Sequence, residues 1–143
     1  PWRVDDKLLE VLKSREPVWM VVHVNHPREL SESVLSSLRR LSGAGVKLLN
    51  QTVLLRNVND NSETLSHLSR ALVKAGVFPY YLHHPDAAPN TAHFRLSYSE
   101  GLRIYQKLSE SVSGIALPKY VVDLPDGSGK VSVIEAMLTG QIV

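Results

Sequence analysis

A glycine-bearing loop near the end of the chain carries one lysine that could do chemistry. A β-branched pair at 121–122 leads into Asp123, and the sequence continues Leu-Pro-Asp-Gly-Ser-Gly to Lys130. Glycine lets a backbone approach a phosphate or a ring closely, because it has no Cβ. A lysine on such a loop could hold a phosphate or form an imine with a carbonyl compound. The loop therefore predicts that Lys130 binds a ligand.

The same loop does not match the P-loop of nucleoside-triphosphate-binding proteins. That motif reads G-x-x-x-x-G-K-[ST] and opens a helix at its lysine. Here Leu124 stands where the first glycine belongs, and Val131 stands where Ser or Thr belongs. We also predict no helix start after Lys130. The lysine therefore needs a different kind of ligand.

Other polar residues gather where apolar runs end. They are His23, Asn25 and His26 after the first run, Asn50 and Gln51 within the second, His83, His84 and Asp86 after the third, and Asp123 in the fourth. Ligands of parallel sheets and barrels bind at the carboxyl ends of the strands. We therefore predict that these side chains face one rim and form a site there.

The elements that would position this rim follow a repeated strand–helix pattern. Near-continuous apolar runs at 18–24, 46–55, 77–82 and 117–124 are typical of parallel strands that are covered on both faces. Helical patterns lie between them, with N-terminal signals at Ser31, at Asn61 and at Ser97, and a leading helix begins near Asp5. Pro79 within the third run indicates an edge or a bulge. The sequence therefore predicts an α/β fold.

Size and composition set further limits. The 143 residues are enough for one domain, which we place at 1–143. The chain has no cysteine, which excludes disulfides and thiolate-bound metal and predicts a cytoplasmic protein. The net charge of +2 is too small to indicate nucleic acid as a partner. No run is long enough to predict a membrane span.

The polar residues allow more than one chemistry. The histidines at 23, 26, 83, 84 and 93 could bind a metal together with a carboxylate, as in a metal-dependent barrel hydrolase. We favour histidines that hydrogen-bond to backbone or cofactor, and we assign no metal ligand. Asp86 and Asp123 could serve as acid and base, could hold a cation such as an ammonium group, or could make only structural hydrogen bonds.

Several segments together resemble the lysine 2,3-aminomutase family. These are His-Val-Asn-His-Pro at 23–27, Leu-Asn-Gln-Thr-Val-Leu-Leu-Arg-Asn-Val-Asn-Asp at 49–60, Pro-Tyr-Tyr-Leu at 79–82, His-Phe-Arg at 93–95, and the loop at 121–130. The family consists of radical S-adenosylmethionine enzymes that also use pyridoxal phosphate and interconvert L-lysine and β-lysine. The similarity extends over essentially the whole chain.

The resemblance implies a role for each matching residue. Lys130 matches the catalytic lysine that forms the imine with pyridoxal phosphate. Asp86 and Asp123 match the pair that holds the side-chain ammonium of the substrate L-lysine. His23 and Gln51 match positions close to S-adenosylmethionine. In the family, cleavage of that cofactor gives a 5′-deoxyadenosyl radical that abstracts a β-hydrogen, and the amino group then migrates on the pyridoxal ring.

The chain also departs from the family. The CxxxCxxC motif that binds the 4Fe-4S cluster is missing, as are the arginines that grip pyridoxal phosphate and the substrate carboxylate. His83 replaces a tyrosine of the clostridial type. The resemblance therefore implies part of a radical S-adenosylmethionine barrel, about three to four βα units, that is inactive alone. The open strand edges of such a part predict a homo-oligomer.

Besides the metal-dependent hydrolase, two alternatives to a free-lysine aminomutase stay open at this point. Some features of the chain resemble the branch of the family that makes β-lysine for an elongation factor, whereas the loop at 121–130 is more similar to the free-lysine branch. A half-barrel without catalytic activity, which binds a partner chain through its open edges, is the other alternative.

Overall fold

A five-stranded sheet organises the chain. The computed structural model describes residues 1–15, 17–124, 127 and 129–142, so Pro125, Asp126 and Ser128 of the glycine-bearing loop lie outside the described residues. The strands follow one another in chain order: β1 (Trp19–His23), β2 (Lys47–Val53), β3 (Val77–His83), β4 (Lys119–Asp123) and β5 (Lys130–Ser132). Strands β1 to β4 are parallel, and β5 pairs antiparallel with β4. The predicted α/β fold is confirmed.

The helices are α1 (Asp6–Lys13), α2 (Glu32–Gly43), α3 (Ser62–Lys74), α4 (Tyr98–Ser111) and α5 (Val133–Leu138). The side chains of Asn61 and Ser97 cap α3 and α4, as their sequences predict. Ser31 precedes α2, but its side chain makes no capping hydrogen bond. Within the described ranges, no helix has the length and apolar content that a membrane crossing requires.

The last strand and helix were not predicted. Strand β5 has only three residues, too few for an alternating pattern, and it exists because it pairs with β4. Helix α5 begins at Val133, so the expectation of no helix start after Lys130 was wrong. The difference from the P-loop motif still holds, because it rests on Leu124 and Val131.

The helices cover one face of the sheet and leave the other face open. Leu48, Leu82 and Val122 are buried against the helices, whereas Trp19 and Val21 on the opposite face are exposed. Burial therefore alternates along β1 and β2, although continuous apolar runs predicted cover on both sides. We call the uncovered side the open face; it corresponds to the inner wall of a partial barrel.

A bulge in β3 sets which residues reach the open face. The pairing of β2 with β3 shifts between Asn50 and Gln51, so that Asn50 pairs with Pro79 and Gln51 pairs with Tyr81. The bulge predicted from Pro79 is thus confirmed. Beyond the shift, Tyr81 and His83 alternate with the buried Leu82 and face the open side.

Gly101 of α4 packs closely against Tyr120 of β4, so we predict that a larger side chain at position 101 destabilises the protein. A Cβ at Gly101 would lie 1.9 Å from Tyr120 Oη and 3.0 Å from Tyr120 Cζ. We expect Gly101→Ala to lower the free energy of unfolding by about 1–3 kcal/mol, because the buried Tyr120 ring must shift. Urea unfolding of the purified chain measures this.

Gly43 in α2 provides the matched control, because a Cβ there would meet no atom within 4 Å. Gly43→Ala should leave stability unchanged or raise it by about 0.5–1 kcal/mol, since alanine loses less backbone entropy in a helix. Equal effects of the two substitutions would contradict the packing explanation.

Candidate functional site

Asp123 and Lys130 form an ion pair at the end of β4. The two residues are direct partners in the antiparallel β4–β5 ladder. Lys130 Nζ donates a hydrogen bond to Asp123 Oδ1 at 2.9 Å, and the side chains are 40% and 38% exposed. The loop between them thus brings together two residues that sequence reasoning had singled out separately. The amine of Lys130 is accessible to a ligand at this rim.

His83 extends the pair into a group of three. Its Nδ1 lies 3.5 Å from Asp123 Oδ2, on the side of the carboxylate away from Lys130. Burial lowers the pKa of His83, and the positive charge of Lys130 lowers it further, while Asp123 and Asp86 oppose the shift. The imidazole is therefore neutral at pH 7. Its Nε2 is buried and has no hydrogen-bond partner among the described residues.

Asp86 and Asp123 line one cleft of about 510 Å³. The cleft lies between the segment that follows β3 and the end of β4, and Arg95 and Tyr98 contribute to its wall. Asp86 is exposed, so its carboxylate is available to a ligand. Two carboxylates that share a cleft of this size can hold one cation between them. This proximity was predicted from the strand order.

His23 and Gln51 occupy a different part of the open face. They are direct partners in the parallel β1–β2 ladder, so their side chains lie side by side. His23 is exposed, and its Nε2 lies 3.1 Å from Asn25 Oδ1. Strand β3 separates these residues from Asp123 and Lys130. The candidate site therefore has two ends, with Tyr81 and His83 of β3 between them.

Three of the polar residues predicted for the rim are structural. Asn50 faces the helices, where its side chain hydrogen-bonds both the N–H and the carbonyl of Val24. His26 caps the short 3₁₀ turn that follows it, and Asn25 Oδ1 accepts from Val53 N. For Asn50, which is buried on the helix side, the expectation that the side chain faces the rim was wrong. The amide and imidazole groups of the three residues make hydrogen bonds to backbone groups at the strand ends.

Asn59 is a structural residue that sequence reasoning missed. It is fully buried and its Nδ2 donates to the carbonyls of Asn25 and Val53, while its Oδ1 accepts from Leu55 N. This one side chain ties the ends of β1 and β2 together. Residues 59–61 read Asn-Asp-Asn, and only Asn61 carried a signal, as the N-terminal cap of α3, which the structure confirms. Nothing in the run marks its first asparagine as buried.

His84 is buried on the helix side of the sheet, so the prediction that it faces the rim was also wrong. Its Nδ1 lies 2.8 Å from Tyr120 Oη, and its ring stacks on Tyr98. Burial lowers the pKa of His84 to about 4, although a hydrogen bond to the Leu96 backbone and the charge of Asp86 oppose the shift. The neutral ring can accept a hydrogen bond from the Tyr120 hydroxyl at Nδ1.

This lowered pKa predicts acid sensitivity. The unfolded chain takes up the proton near pH 6.5 and the folded chain only near pH 4, so protonation favours unfolding in that window. The free energy of unfolding should fall by up to about 3 kcal/mol as the pH drops through it. Urea unfolding at several pH values measures the slope. His84→Gln should flatten it; parallel curves for the two proteins would contradict the assignment.

The remaining predicted ligands do not converge on a metal. Across residues 1–15, 17–124, 127 and 129–142, no three His, Asp or Glu side chains are grouped as a metal site requires. His93 is exposed and stacks on Phe94. The arrangement therefore gives no support to the alternative of a metal-dependent hydrolase.

Over most of its length the chain is similar to proteins named L-lysine 2,3-aminomutase. It is 43% identical over 134 residues to "L-lysine 2,3-aminomutase" of Methanococcus maripaludis, covering 94% of this chain and 31% of that protein. Identity is 40% over 141 residues with the protein of the same name from Clostridium subterminale, covering 99% and 34%. With that of Escherichia coli it is 44% over 120 residues, covering 83% and 35%. The resemblance predicted from the sequence is confirmed.

The chain spans about a third of the length of these relatives. A radical SAM methyltransferase from Sphaerobacter thermophilus has a similar fold, with a TM-score of 0.57 at 20% identity, over 82% of this chain and 38% of that one. The fold is thus a partial α/β barrel similar to part of that structure. No family model matches the chain.

Proposed function

We propose that this chain is the part of an L-lysine 2,3-aminomutase that binds pyridoxal phosphate and the side-chain ammonium of L-lysine. The main support for the proposal is that Lys130 lies beside Asp123 at the end of β4, and that Asp86 lines the same cleft as Asp123. Relatives named L-lysine 2,3-aminomutase support the reaction class. The reaction interconverts L-lysine and β-lysine.

The residues present fit pyridoxal phosphate. Lys130 offers an accessible primary amine on the open face, and glycines with positive φ at 127 and 129 leave space for a bulky ligand beside it. When bound, the cofactor would supply the ring that carries the migrating amino group. Lys130 would hold the cofactor in place. The carboxylate of Asp123 would place a negative charge next to the amine of Lys130.

Asp86 and Asp123 would position the substrate. Their carboxylates attract the side-chain ammonium of L-lysine into the cleft, and this contact fixes the distance from that end of the substrate to the amine of Lys130. A substrate without the second ammonium would lack this anchor. The cleft therefore predicts a preference for lysine over monoamino acids of similar length.

His23 and Gln51 would hold S-adenosylmethionine at the other end of the open face. The iron–sulfur cluster, which would cleave that cofactor, needs thiolate ligands, and the chain has no cysteine. We therefore propose that the 143 residues are inactive alone and that the cluster ligands come from other residues. The single domain at 1–143 and the cytoplasmic location stay predictions.

The test of the proposal is formation of β-lysine. A protein that contains these residues together with a reconstituted cluster should convert L-lysine to β-lysine in the presence of pyridoxal phosphate, S-adenosylmethionine and a reductant. The 143-residue chain under the same conditions should form none. Absence of β-lysine from the cluster-loaded protein, with the cluster verified spectroscopically, would reject the proposal.

We further propose that the isolated chain self-associates through β1. In the described part of the chain β1 has a partner on one side only, and Trp19, which is 65% exposed, lies beside the exposed Val21 on the open face. Such an edge pairs readily with a second copy. Met20, between these two residues, packs against the helices.

Sedimentation at tens of micromolar should therefore show a dimer or larger species. Trp19→Lys should shift it toward monomer by placing a charge on the apolar edge. The control is Trp2→Lys, because Trp2 is 86% exposed but lies outside the sheet. A monodisperse monomer for the unmodified chain would contradict the association.

A further inference from the structure

The carboxylate of Asp123 is shared between two basic side chains. Its Oδ1 accepts a hydrogen bond from Lys130 Nζ at 2.9 Å, and its Oδ2 lies 3.5 Å from His83 Nδ1. The proposed function assigns Lys130 to the cofactor and Asp123 to the substrate. Lys130 does not line the cleft that holds Asp86, but its ammonium already pairs with the Asp123 carboxylate, so a ligand ammonium would compete with it for that charge.

We propose that Lys130 is an internal competitor for the ammonium-binding position of Asp123. When the amine of Lys130 condenses with a carbonyl ligand, a C=N bond replaces the C=O bond, the ammonium proton passes to solvent and the carbonyl oxygen leaves as water, and this position opens to a free ammonium group. The inference rests on the proposed function and adds an order of binding to it. The carbonyl ligand binds first and the ammonium ligand second.

The competition follows from charge and tethering. Two ammonium groups on one carboxylate would repel each other at a few ångströms, so a second cation gains little while Lys130 is present. Lys130 is held on the strand paired with β4, so its effective concentration at Asp123 is high, at least millimolar. A free amine must exceed that concentration to displace it. Removal of the Lys130 charge should therefore strengthen ammonium binding.

His83 is the positioning residue for this exchange. Its ring lies against the edge of Tyr81 at a centroid distance of 5.6 Å and is mostly buried, so its contact with Asp123 Oδ2 does not depend on Lys130. Burial lowers the pKa of His83 and the charge of Lys130 lowers it further, so the ring adds no positive charge at pH 7 while Lys130 is charged. Asp123 can then keep its orientation after Lys130 leaves.

The probe for the test is n-butylammonium, which carries the ammonium and the carbon chain of a lysine side chain without its other groups. Its binding to the isotope-labelled 143-residue chain is measured by NMR titration at pH 7. We expect Lys130→Met to bind it about tenfold more tightly than the unmodified chain. Lys130→Gln, which keeps a polar end group without charge, should do the same. Lys119→Met, on the neighbouring strand, should change nothing.

Variants of His83 test the positioning role in the Lys130→Met background. His83→Phe should weaken binding of the probe, whereas His83→Asn, whose amide can take the place of Nδ1–H, should restore most of it. Asp123→Asn in that background should abolish binding.

Two results would overturn the inference, and they differ in what else they reject. If the Lys130 variants bind the probe no more tightly than the unmodified chain, while Asp123→Asn abolishes binding, Lys130 does not compete, but the ammonium site of the proposed function stands. If no variant binds the probe, the ammonium site itself is rejected along with the competition. Spectra of each folded variant accompany the titration, so loss of structure is seen directly.

Discussion

Replacement of Lys130 by methionine is expected to remove covalent attachment of pyridoxal phosphate to this protein completely. Treatment of the unmodified chain with the cofactor and borohydride should leave the label on the peptide that contains residue 130. The reason is that its amine is accessible at the strand end and is placed beside Asp123. Peptide mass spectrometry locates the label.

The matched control is Lys119→Met. Lys119 is an exposed lysine on β4, four residues before Asp123 on the same strand, so it reports the general reactivity of surface amines. Labelling at Lys130 should persist in this variant. We expect the chain to bind the cofactor weakly before reduction, because one imine with few phosphate contacts is a poor anchor. A label that falls mainly on another lysine would reject the assignment.

The sequence predicts the parallel part of the fold well, because each strand and helix there has a local signal. Apolar runs mark β1 to β4, and Asn61 and Ser97 mark the starts of α3 and α4 through side-chain caps. Strand β5 has no such signal. It is a strand only because β4 lies beside it, and that pairing depends on the tertiary structure.

The candidate site shows the same division between local and long-range information. Sequence reasoning selected Lys130 from the glycines near it, and Asp123 from its place at the end of an apolar run. It could not foresee that the two form an ion pair, which depends on the β4–β5 register. It also placed His84 and Asn50 on the rim. The direction of a side chain at a strand end depends on bulges and on which backbone groups there lack a hydrogen-bond partner. The composition of the strand reveals neither.

His83 illustrates a residue whose importance came only from the structure. In the sequence it was one of several histidines and a departure from the clostridial type. The bulge opposite Asn50 turns it to the open face, where it meets Asp123. In the proposed function, that carboxylate holds the side-chain ammonium of the substrate.

Replacing either Asp86 or Asp123 by asparagine should cost roughly 2–4 kcal/mol in kcat/KM for L-lysine, or about 30- to 1,000-fold, in an active protein that contains these residues. Each change removes one charge-assisted hydrogen bond and leaves the substrate ammonium with only one carboxylate. Steady-state kinetics of β-lysine formation measure the loss. Asp60→Asn is the control, because Asp60 lines a different cleft, beside α4.

Norleucine, which lacks the second ammonium, separates the anchor from other roles of these carboxylates. If Asp86 and Asp123 only hold that ammonium, norleucine should bind equally weakly, and turn over equally slowly, in the unmodified protein and in both variants. A further loss with Asp123→Asn alone would show that this residue also acts on Lys130, its partner at 2.9 Å. Near-normal turnover of L-lysine by both variants would contradict the anchor. Since the two carboxylates share one cation, the double variant should lose less than the sum of the single losses.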